Sequence, residues 1–359
     1  MFSVPNSCIA IMLYAVVFLA FLVHSGSSQG LLPNGDPYFC VPSGICPMTG
    51  GGIDPRIITP GGGNGGQTEA PSGGVCPSGR YVCYAQGSSS NCGQRLVPIT
   101  NTNDGEAQFG AYPWQAYMTG SNGAYIGSGS LLSPYHVLTA AHKVLAYESN
   151  PSQLTIIMGV NDPANINNSP AAPRSTAAQI TIFNRQTYNN ETLKNNLAIV
   201  RLANPISLVN QNSINTICLP SANTNANAYV NPSQRCIVSG WGQAQPSNSP
   251  SPTKLKQVMV NTVDINTCES GFNGRVDTSR FLDKSGGQIC AGGESQRDAC
   301  FQDGGAPLTC GQGTLTSRFT VSGIVIWGKS CGLTGVYGVY TNVPYYRQWI
   351  VQTITQPIP

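Results

Sequence analysis

The residues whose types and spacing could do chemistry lie in a few short motifs. These motifs include one histidine and two aspartates, His142, Asp298 and Asp303. A histidine can take a proton from a hydroxyl nucleophile, and a buried acid can hold the histidine in the tautomer that this transfer needs. Residues of these types are the ones that nucleophilic catalysis uses beside a hydroxyl nucleophile. The motifs are LTAAH (138–142), SGWG (239–242), DACFQDGGAPL (298–308) and GVYTNV (338–343).

The order and spacing of these motifs resemble the trypsin-like serine protease family. The segment FGAYPWQAY (109–117) resembles the start of the same domain, and the resemblance covers roughly residues 101–355. It implies an all-β fold of two six-stranded antiparallel barrels with a C-terminal helix and a site between the barrels. Short β-rich runs punctuated by Gly, Pro and Asn favour the same fold class. The one helix that the sequence itself predicts is Pro344 to Thr353.

The resemblance places the catalytic base at His142, the acid at Asn196 and the nucleophile at Gly304. Glycine has no atom that could form an acyl-enzyme, and losing the nucleophile alone costs about 10⁶ in turnover. A neutral amide in place of the acid can favour the wrong histidine tautomer, at a cost of about 10⁴. We therefore expect a pseudoprotease.

The specificity pocket of the family is partly retained. By resemblance, Asp298 is the acid that binds a Lys or Arg side chain, and Gly328 and Gly338 leave the pocket open, whereas Ile326 stands where serine is usual. Two interpretations stay open. The pocket could bind a basic side chain without cutting, or it could be a remnant in which Asp298 is solvated or bonded locally.

Maturation is also expected to differ from that of active family members. Active members are cut before an Ile-Val-Gly-Gly run. The α-ammonium group of the N-terminus that the cut creates then pairs with the aspartate that corresponds to Asp303. Residues 101–104 read NTND, and no Lys or Arg directly precedes them. Asp303 is therefore expected to lack its usual partner, and an unpaired buried carboxylate is costly.

The N-terminus predicts secretion. Residues 9–23 are an apolar run of 15 residues, which is short for a membrane span of about 20, and small residues follow. We expect a signal peptide over 1–28, with an uncleaved anchor as the alternative. Its removal leaves 12 of the 13 cysteines, an even number that suits full pairing in an extracellular compartment. Asn167 and Asn190 are candidate glycan acceptors.

The segment after the signal peptide resembles the clip domains of arthropod serine proteases and their inactive homologues, through YFCVPSGIC, IDPRI and VCPSGRYVC. We expect a disulfide-rich clip-like module over 36–92, a linker over 93–104 and the protease-like domain over 105–356. The alternative for the module is a disordered Gly-rich leader. A regulatory cut could follow Arg80 or Arg95.

The resemblances also imply the cysteine pairing. Gly127 and Lys143 occupy both positions of the bridge that the family has beside the catalytic histidine, so that bridge is expected to be missing. A bridge to Cys218 would keep the N-terminal piece attached after a cut at Arg95. The implied pairs are Cys40–Cys76, Cys46–Cys83, Cys92–Cys218, Cys236–Cys310, Cys268–Cys290 and Cys300–Cys331.

Composition argues against several classes of binding partner. Only 9% of the 359 residues are charged and the net charge is +3, which argues against nucleic acid as a partner. No further apolar run suggests a membrane partner. No cofactor or metal is expected, because the sequence has only 3 histidines and the cysteines are better explained as bridges.

The functional hypothesis is a secreted, non-catalytic serine protease homologue that acts as a binding cofactor or regulator in an extracellular proteolytic cascade. The resemblance suggests prophenoloxidase activation and melanisation in innate immunity. Its partners would be cascade proteases and prophenoloxidase or similar proteins, with microbial surfaces as a further partner. The alternatives are an active trypsin-like endopeptidase and a venom or microbial-surface recognition protein.

Overall fold

In the computed structural model the chain divides into two units, residues 1–85 and 86–359. No helix in the described residues is long and apolar enough to cross a membrane. Some of the predicted features lie outside the described residues, namely Cys46, Cys76, Asn167 and the signal peptide up to residue 27. The described ranges are 28–31, 37–42 and 80–84, in which only the backbone is described, and 92–166, 172–208, 212–221, 224, 235–243, 254–311 and 318–356.

The first unit contains a three-stranded antiparallel sheet of β1 (Ser28–Leu31), β2 (Pro37–Pro42) and β3 (Arg80–Tyr84), with β2 in the middle. The inner strand and β3 read PYFCVP and RYVCY, rich in the aromatic and β-branched residues that strands favour. Their register sets Cys40 opposite Val82. Arg80, a predicted cleavage site, is the first residue of β3. The predicted pairs of Cys40 and Cys83 stay predictions.

The first barrel of the second unit is closed and antiparallel, in the order β10-β7-β6-β5-β8-β9. Its interior is filled by side chains such as Met118, Leu131 and Ile156, none of which is exposed. A short helix, α1 (Ala141–Val144), directly follows β7. The strands are β5 (Gln115–Thr119), β6 (Tyr125–Ser133), β7 (His136–Thr139), β8 (Thr155–Met158), β9 (Arg174–Ile182) and β10 (Ala198–Leu202).

The second barrel has the ring order β11-β14-β15-β16-β13-β12, and pairing of β11 with β12 closes it. A two-residue strand, β4 (Gly105–Glu106), adds to β12 from outside. The two closed six-stranded barrels confirm the predicted all-β class. The strands are β11 (Arg235–Gly240), β12 (Lys256–Val263), β13 (Gln288–Gly292), β14 (Pro307–Gly311), β15 (Phe319–Gly328) and β16 (Tyr337–Asn342).

In the part of the chain that the structure describes, three helices accompany the second barrel: α2 (Ile265–Phe272), α3 (Thr278–Phe281) and α4 (Val343–Ile354). The last is the helix that the sequence predicts, one residue longer at each end, with proline in its first turn. The other two are additions to the sequence-based interpretation. Asp264 caps the start of helix α2, and its carboxylate accepts hydrogen bonds from two backbone amides of the first turn.

A buried aromatic and polar seam joins the two barrels. Trp241 packs edge-on against Tyr117, with ring centres 5.0 Å apart. Gln115 donates to the backbone carbonyl of Ser239 and accepts from the hydroxyl of the same residue, each at 2.8 Å. Because all these side chains are buried, the hydrogen bonds fix the barrels at one relative position. The site lies along this seam.

Candidate active site

Both barrels contribute to the candidate site. His142 lies on α1 directly after β7, and Asn196 lies two residues before β10, the strand that pairs with β7. Gly304 comes from the second barrel, in the turn before β14, and its carbonyl accepts the backbone N–H of Ser128 on β6 at 3.2 Å. Gly305 has a φ of +86° and packs tightly against Ser128, so this close approach requires glycine. The three predicted triad positions are thus brought together.

Asn196 fixes the protonation pattern of His142. Its side-chain oxygen accepts the backbone N–H of His142 at 3.0 Å and the hydroxyl of Tyr188 at 3.3 Å. Its side-chain nitrogen lies 2.9 Å from the ring Nδ1 of His142 and its oxygen lies 3.3 Å from the same atom, so we assign the nearer contact as a donation from the amide to Nδ1. The ring proton therefore sits on Nε2, the nitrogen that faces residue 304. In this tautomer Nε2 is a donor and cannot take a proton from a nucleophile.

Burial reinforces this arrangement. Together with the smaller effect of the Lys143 charge, burial lowers the pKa of His142 to about 4, and the hydrogen bond with Asn196 opposes the change only partly. The imidazole is therefore neutral at pH 7. Its Nε2 lies 2.8 Å from the position that a Cβ on residue 304 would take. The histidine thus faces an empty nucleophile position as a neutral hydrogen-bond donor.

Lys143 fills the space beside Gly304. Its Cε lies 2.5 Å from the Cβ position of residue 304 and 2.9 Å from that of Gly127. The absence of side chains at these two glycines therefore makes the channel through which the lysine side chain runs. Burial lowers the pKa of Lys143, and the charge of Asp303 opposes the change. No described residue accepts a hydrogen bond from its ammonium group.

Asp303 is buried against the backbone of the second barrel. Its two oxygens accept the backbone N–H of Gly242 at 2.7 Å and that of Cys300 at 2.9 Å. A Cβ at Gly240 or Gly242 would overlap its carboxylate, which accounts for both glycines of SGWG. Burial raises the pKa of Asp303 to about 6 despite these two hydrogen bonds. No cation in the described residues lies within ion-pair distance of this carboxylate.

Gln302 is a site residue that the sequence analysis did not single out. Its φ of +71° places a non-glycine side chain in the left-handed region. The segment QDGGAP (302–307) resembles the pattern GDSGGP of trypsin-like serine proteases, which has glycine at the position of Gln302, and this mismatch was the signal that the sequence offered. The backbone N–H groups of Gln302 and Gly304 have no acceptor among the described residues.

A cavity of about 230 Å³ opens beside His142, Lys143 and Gly304. Gly328 and Gly338, opposite each other on β15 and β16, line its far wall together with Ile326, Trp327 and Tyr340. The predicted pocket glycines and Ile326 therefore share one cavity with His142 and Gly304.

Asp298 lies behind Gly338, where it borders a second cavity of about 220 Å³. One carboxylate oxygen accepts the backbone N–H of Gly332 at 3.2 Å, and the other, Oδ1, is buried without a partner. The buried hydroxyl of Tyr340 also has no partner. These two atoms lie 3.0 and 3.1 Å from the Cβ position of Gly338. The sequence offers no reason to single out Tyr340, because it does not show which tyrosine hydroxyl is buried without a hydrogen-bond partner.

Two further predicted site residues, Asn190 and Arg95, lie in the second unit. Asn190 is exposed, and its side-chain oxygen shares the hydroxyl proton of Tyr188 with the side-chain oxygen of Asn196. Arg95 is half-buried, donates to the carbonyl of Ala111 at 2.9 Å and stacks 4.6 Å from the ring centre of Phe319. A protease must pull Arg95 out of this packing to cut after it.

The disulfides among the described residues are Cys92–Cys218, Cys236–Cys310, Cys268–Cys290 and Cys300–Cys331. No group of three or more potential ligands in the described residues could hold a metal ion.

A family model described as Trypsin matches residues 102–350 of the chain, which is more than half of it. The chain belongs to the trypsin family. Inactive CLIP domain-containing serine protease A3 of Aedes aegypti is 33% identical over 88% of this chain, and the chain spans 66% of that protein, slightly less than two thirds. Phenoloxidase-activating factor 2 of Galleria mellonella is 32% identical over 70% of this chain and 83% of its own length.

These relatives place the chain among the clip-domain serine protease homologues of the trypsin family. Transmembrane protease serine 11C of Mus musculus is also 32% identical, over 72% of this chain and 55% of its own length. Overall identity therefore does not separate a protein named as inactive from one named as a protease. The residues of the site have to make that distinction.

Stability should fall as the pH rises through the range where Asp298 ionises. Burial raises the pKa of Asp298 from 3.8 to about 7 in the folded trypsin-like domain, so the folded state binds this proton more tightly than the unfolded chain does. The resulting stabilisation of the fold is fully present below about pH 4 and is lost by about pH 7. Asp298→Asn should therefore stabilise the protein at pH 8 relative to pH 4, by up to about 4 kcal/mol. Urea unfolding at both pH values measures the difference.

The matched control is Glu191→Gln, since the Glu191 side chain is 74% exposed. This variant should change stability by less than about 0.5 kcal/mol at either pH. An Asp298→Asn variant whose stability relative to the unmodified protein is the same at pH 4 and pH 8 would refute the buried, ionisable carboxylate.

Proposed function

We propose that the chain is a secreted, non-catalytic serine protease homologue that works as a binding cofactor or regulator in an extracellular proteolytic cascade. The single observation that carries the proposal is Gly304. It faces the donor nitrogen of His142 at the place where the family has its nucleophile, and it offers no atom that could form a covalent intermediate. The neutral histidine and the amide of Asn196 support the same conclusion.

The proposed organisation is a signal peptide over 1–28, a clip-like module over 36–92, a linker over 93–104 and a protease-like domain over 105–356. The relative named Phenoloxidase-activating factor 2 supports a role in prophenoloxidase activation. Prophenoloxidase or a similar protein and the proteases of its cascade are the proposed partners, with glycans at Asn167 and Asn190. Cleavage after Arg80 or Arg95 is the proposed switch.

Reconstitution tests this function directly. Purified prophenoloxidase and its activating protease are mixed with or without the full chain, and phenol oxidation is followed. We expect the full chain to raise oxidation severalfold without cleaving prophenoloxidase itself. The chain should be tested uncut and after limited proteolysis, with an equal amount of unrelated secreted protein as the control. No increase with either form would overturn the role in prophenoloxidase activation.

A further inference from the structure

Residues 92–104, which we call the strap, contain the candidate cut site Arg95 and are fixed to the rest of the second unit on both sides of it. Before Arg95, the strap is held by the disulfide of Cys92. Gly93 adds two backbone hydrogen bonds, at 2.7 and 2.9 Å, to two different segments of the second unit. The chain that leads into the Arg95–Leu96 bond is therefore held in place.

Arg95 itself is packed against aromatic rings. The centre of its guanidinium lies 4.6 Å from the ring centre of Phe319 and 5.4 Å from that of Tyr112. Its Nε donates to the backbone carbonyl of Ala111 at 2.9 Å. A protease that cuts after basic residues has to bind this side chain. The contacts of the guanidinium must therefore break before such a protease can bind it.

Gln108 clamps the strap after Arg95. Its side-chain oxygen accepts the backbone N–H of Thr100 at 2.9 Å and that of Asn101 at 3.3 Å. Its side-chain nitrogen donates to the backbone carbonyl of Pro98 at 2.9 Å. One side chain thus satisfies backbone groups on three residues of the strap, in the stretch that directly follows the bond to be cut.

The end of the strap is fixed as well. The carboxylate of Asp104 accepts the backbone N–H of Met259 at 2.9 Å and pairs with Arg297 at 2.8 Å. The backbone carbonyl of Asn103 accepts a hydrogen bond from the side chain of Gln257 at 2.6 Å. The strap is therefore held at its beginning, its middle and its end.

We propose that the strap controls proteolysis at Arg95. A protease reaches the Arg95–Leu96 bond only in molecules whose strap has left the surface of the second unit, and Gln108 sets how often this occurs. The rate of cutting then follows the small population of the open form, since burial and hydrogen bonding of the backbone decide where a folded chain is cut. The inference rests on the proposed function, because it concerns the cut that would regulate it.

Digestion of the full chain with trypsin tests the inference. The reference substrate is a synthetic peptide of residues 93–103, GQRLVPITNTN, which contains the same bond without the contacts of the strap. Trypsin should cut this bond at least about a hundredfold more slowly in the folded chain than in the peptide. Mass spectrometry of the new chain ends measures both rates. A difference of less than about tenfold would overturn the inference.

The variant Gln108→Ala should be cut after Arg95 at least about tenfold faster than the unmodified protein, because its hydrogen bonds to the strap are lost. Gln348→Ala is the matched control, since Gln348 is exposed on α4 and its side chain has no hydrogen-bond partner among the described residues. Cutting after Lys143, whose side chain lies between the two barrels, reports global unfolding and should keep its rate in both variants. An unchanged rate at Arg95 in Gln108→Ala would contradict the role of Gln108.

Hydrogen exchange gives a readout that does not depend on the protease. The backbone amides of Thr100 and Asn101, which donate to Gln108, should exchange at least about tenfold faster in Gln108→Ala, while those of the barrel strands keep their rates. Amides of the strap that exchange as fast in the unmodified protein as in the peptide would overturn the inference.

The variant Arg95→Lys tests the packed side chain. Lysine keeps the charge and remains a site for trypsin, but it lacks the planar group that stacks on the two rings. It should be cut severalfold faster than arginine in the full chain, after correction for the rates of the two matching peptides. A corrected rate equal to that of the unmodified protein would contradict the part given to the aromatic contacts.

Failure of this inference is distinguishable from failure of the proposed function. If the cut chain raises phenol oxidation but the folded chain is cut after Arg95 as fast as the peptide, the control by the strap is wrong and the cofactor role stands. If the strap protects Arg95 and neither the cut nor the uncut chain raises phenol oxidation, the strap stands and the role in prophenoloxidase activation is wrong.

Discussion

Gly304→Ser alone will leave the protein unable to react with a fluorophosphonate, a reagent that labels activated serines. The new Cβ would lie 2.5 Å from Cε of Lys143, so the lysine must move before the hydroxyl has room. The nearest nitrogen of His142 would still carry a proton, because Asn196 donates to Nδ1. A serine without a base to take its proton is a weak nucleophile.

Gly304→Ser should become reactive toward the fluorophosphonate when two further substitutions, Lys143→Ala and Asn196→Asp, are added. Lys143→Ala clears the space, and Asn196→Asp reverses the hydrogen bond so that Nδ1 carries the proton. Within the Gly304→Ser, Lys143→Ala background, Asn196→Asp should raise the labelling rate by about 10⁴. Mass spectrometry of the intact protein measures the labelled fraction over time.

The control for this series is His142→Ala in the triple variant, which should lose the gain because the base is gone. Labelling of Gly304→Ser as fast as that of the triple variant would contradict the roles given to Asn196 and Lys143. It would mean that the missing hydroxyl is the whole defect.

Removal of the Cys92–Cys218 bridge should cost about 5 kcal/mol of unfolding free energy. The bridge joins residues 126 positions apart, and the chain-entropy cost of an open loop grows with its length. Both sulfur-bearing residues are buried, and Gly93 exchanges backbone hydrogen bonds with the barrel, to Thr216 at 2.7 Å and from Phe319 at 2.9 Å. Urea unfolding of Cys92→Ser with Cys218→Ser measures the loss.

The matched control removes the bridge with a short loop. Cys268→Ser with Cys290→Ser opens a separation of 22 residues and should cost about 3 kcal/mol. An equal or larger loss of stability in the control would contradict the argument from loop length.

The Cys92–Cys218 bridge also determines whether the N-terminal piece stays attached after a cut at Arg95. The N-terminal piece should stay attached in the unmodified protein and should separate from the double variant on a non-reducing gel.

Much of the fold could be predicted because its motifs are local. Each motif lies within about ten residues, and the helix at Pro344 begins with a residue that marks a helix start. Helix α2 was missed because it is only 8 residues long, shorter than the stretch over which apolar periodicity marks a helix. Its start signal was the capping aspartate, Asp264.

The chemical state of the site could be predicted only in part. The types of residue at 142, 196 and 304 already indicated a missing nucleophile and a wrong tautomer. The path of Lys143 could not be predicted, because it depends on Gly127 and Gly304, which are far apart in sequence and meet only when the two barrels pack. The unpaired atoms of Asp298 and Tyr340 arise in the same way, from burial that no local pattern encodes.

We expect this trypsin-family chain to perform no covalent chemistry, because Gly304 leaves it without a nucleophile. In the test, the unmodified full chain is mixed with an arginine-type ester whose acylation step releases a coloured phenol. No burst of phenol should appear, and the steady rate should equal that of buffer. A burst approaching one phenol per chain, from protein shown by mass spectrometry to be free of contaminating protease, would contradict it.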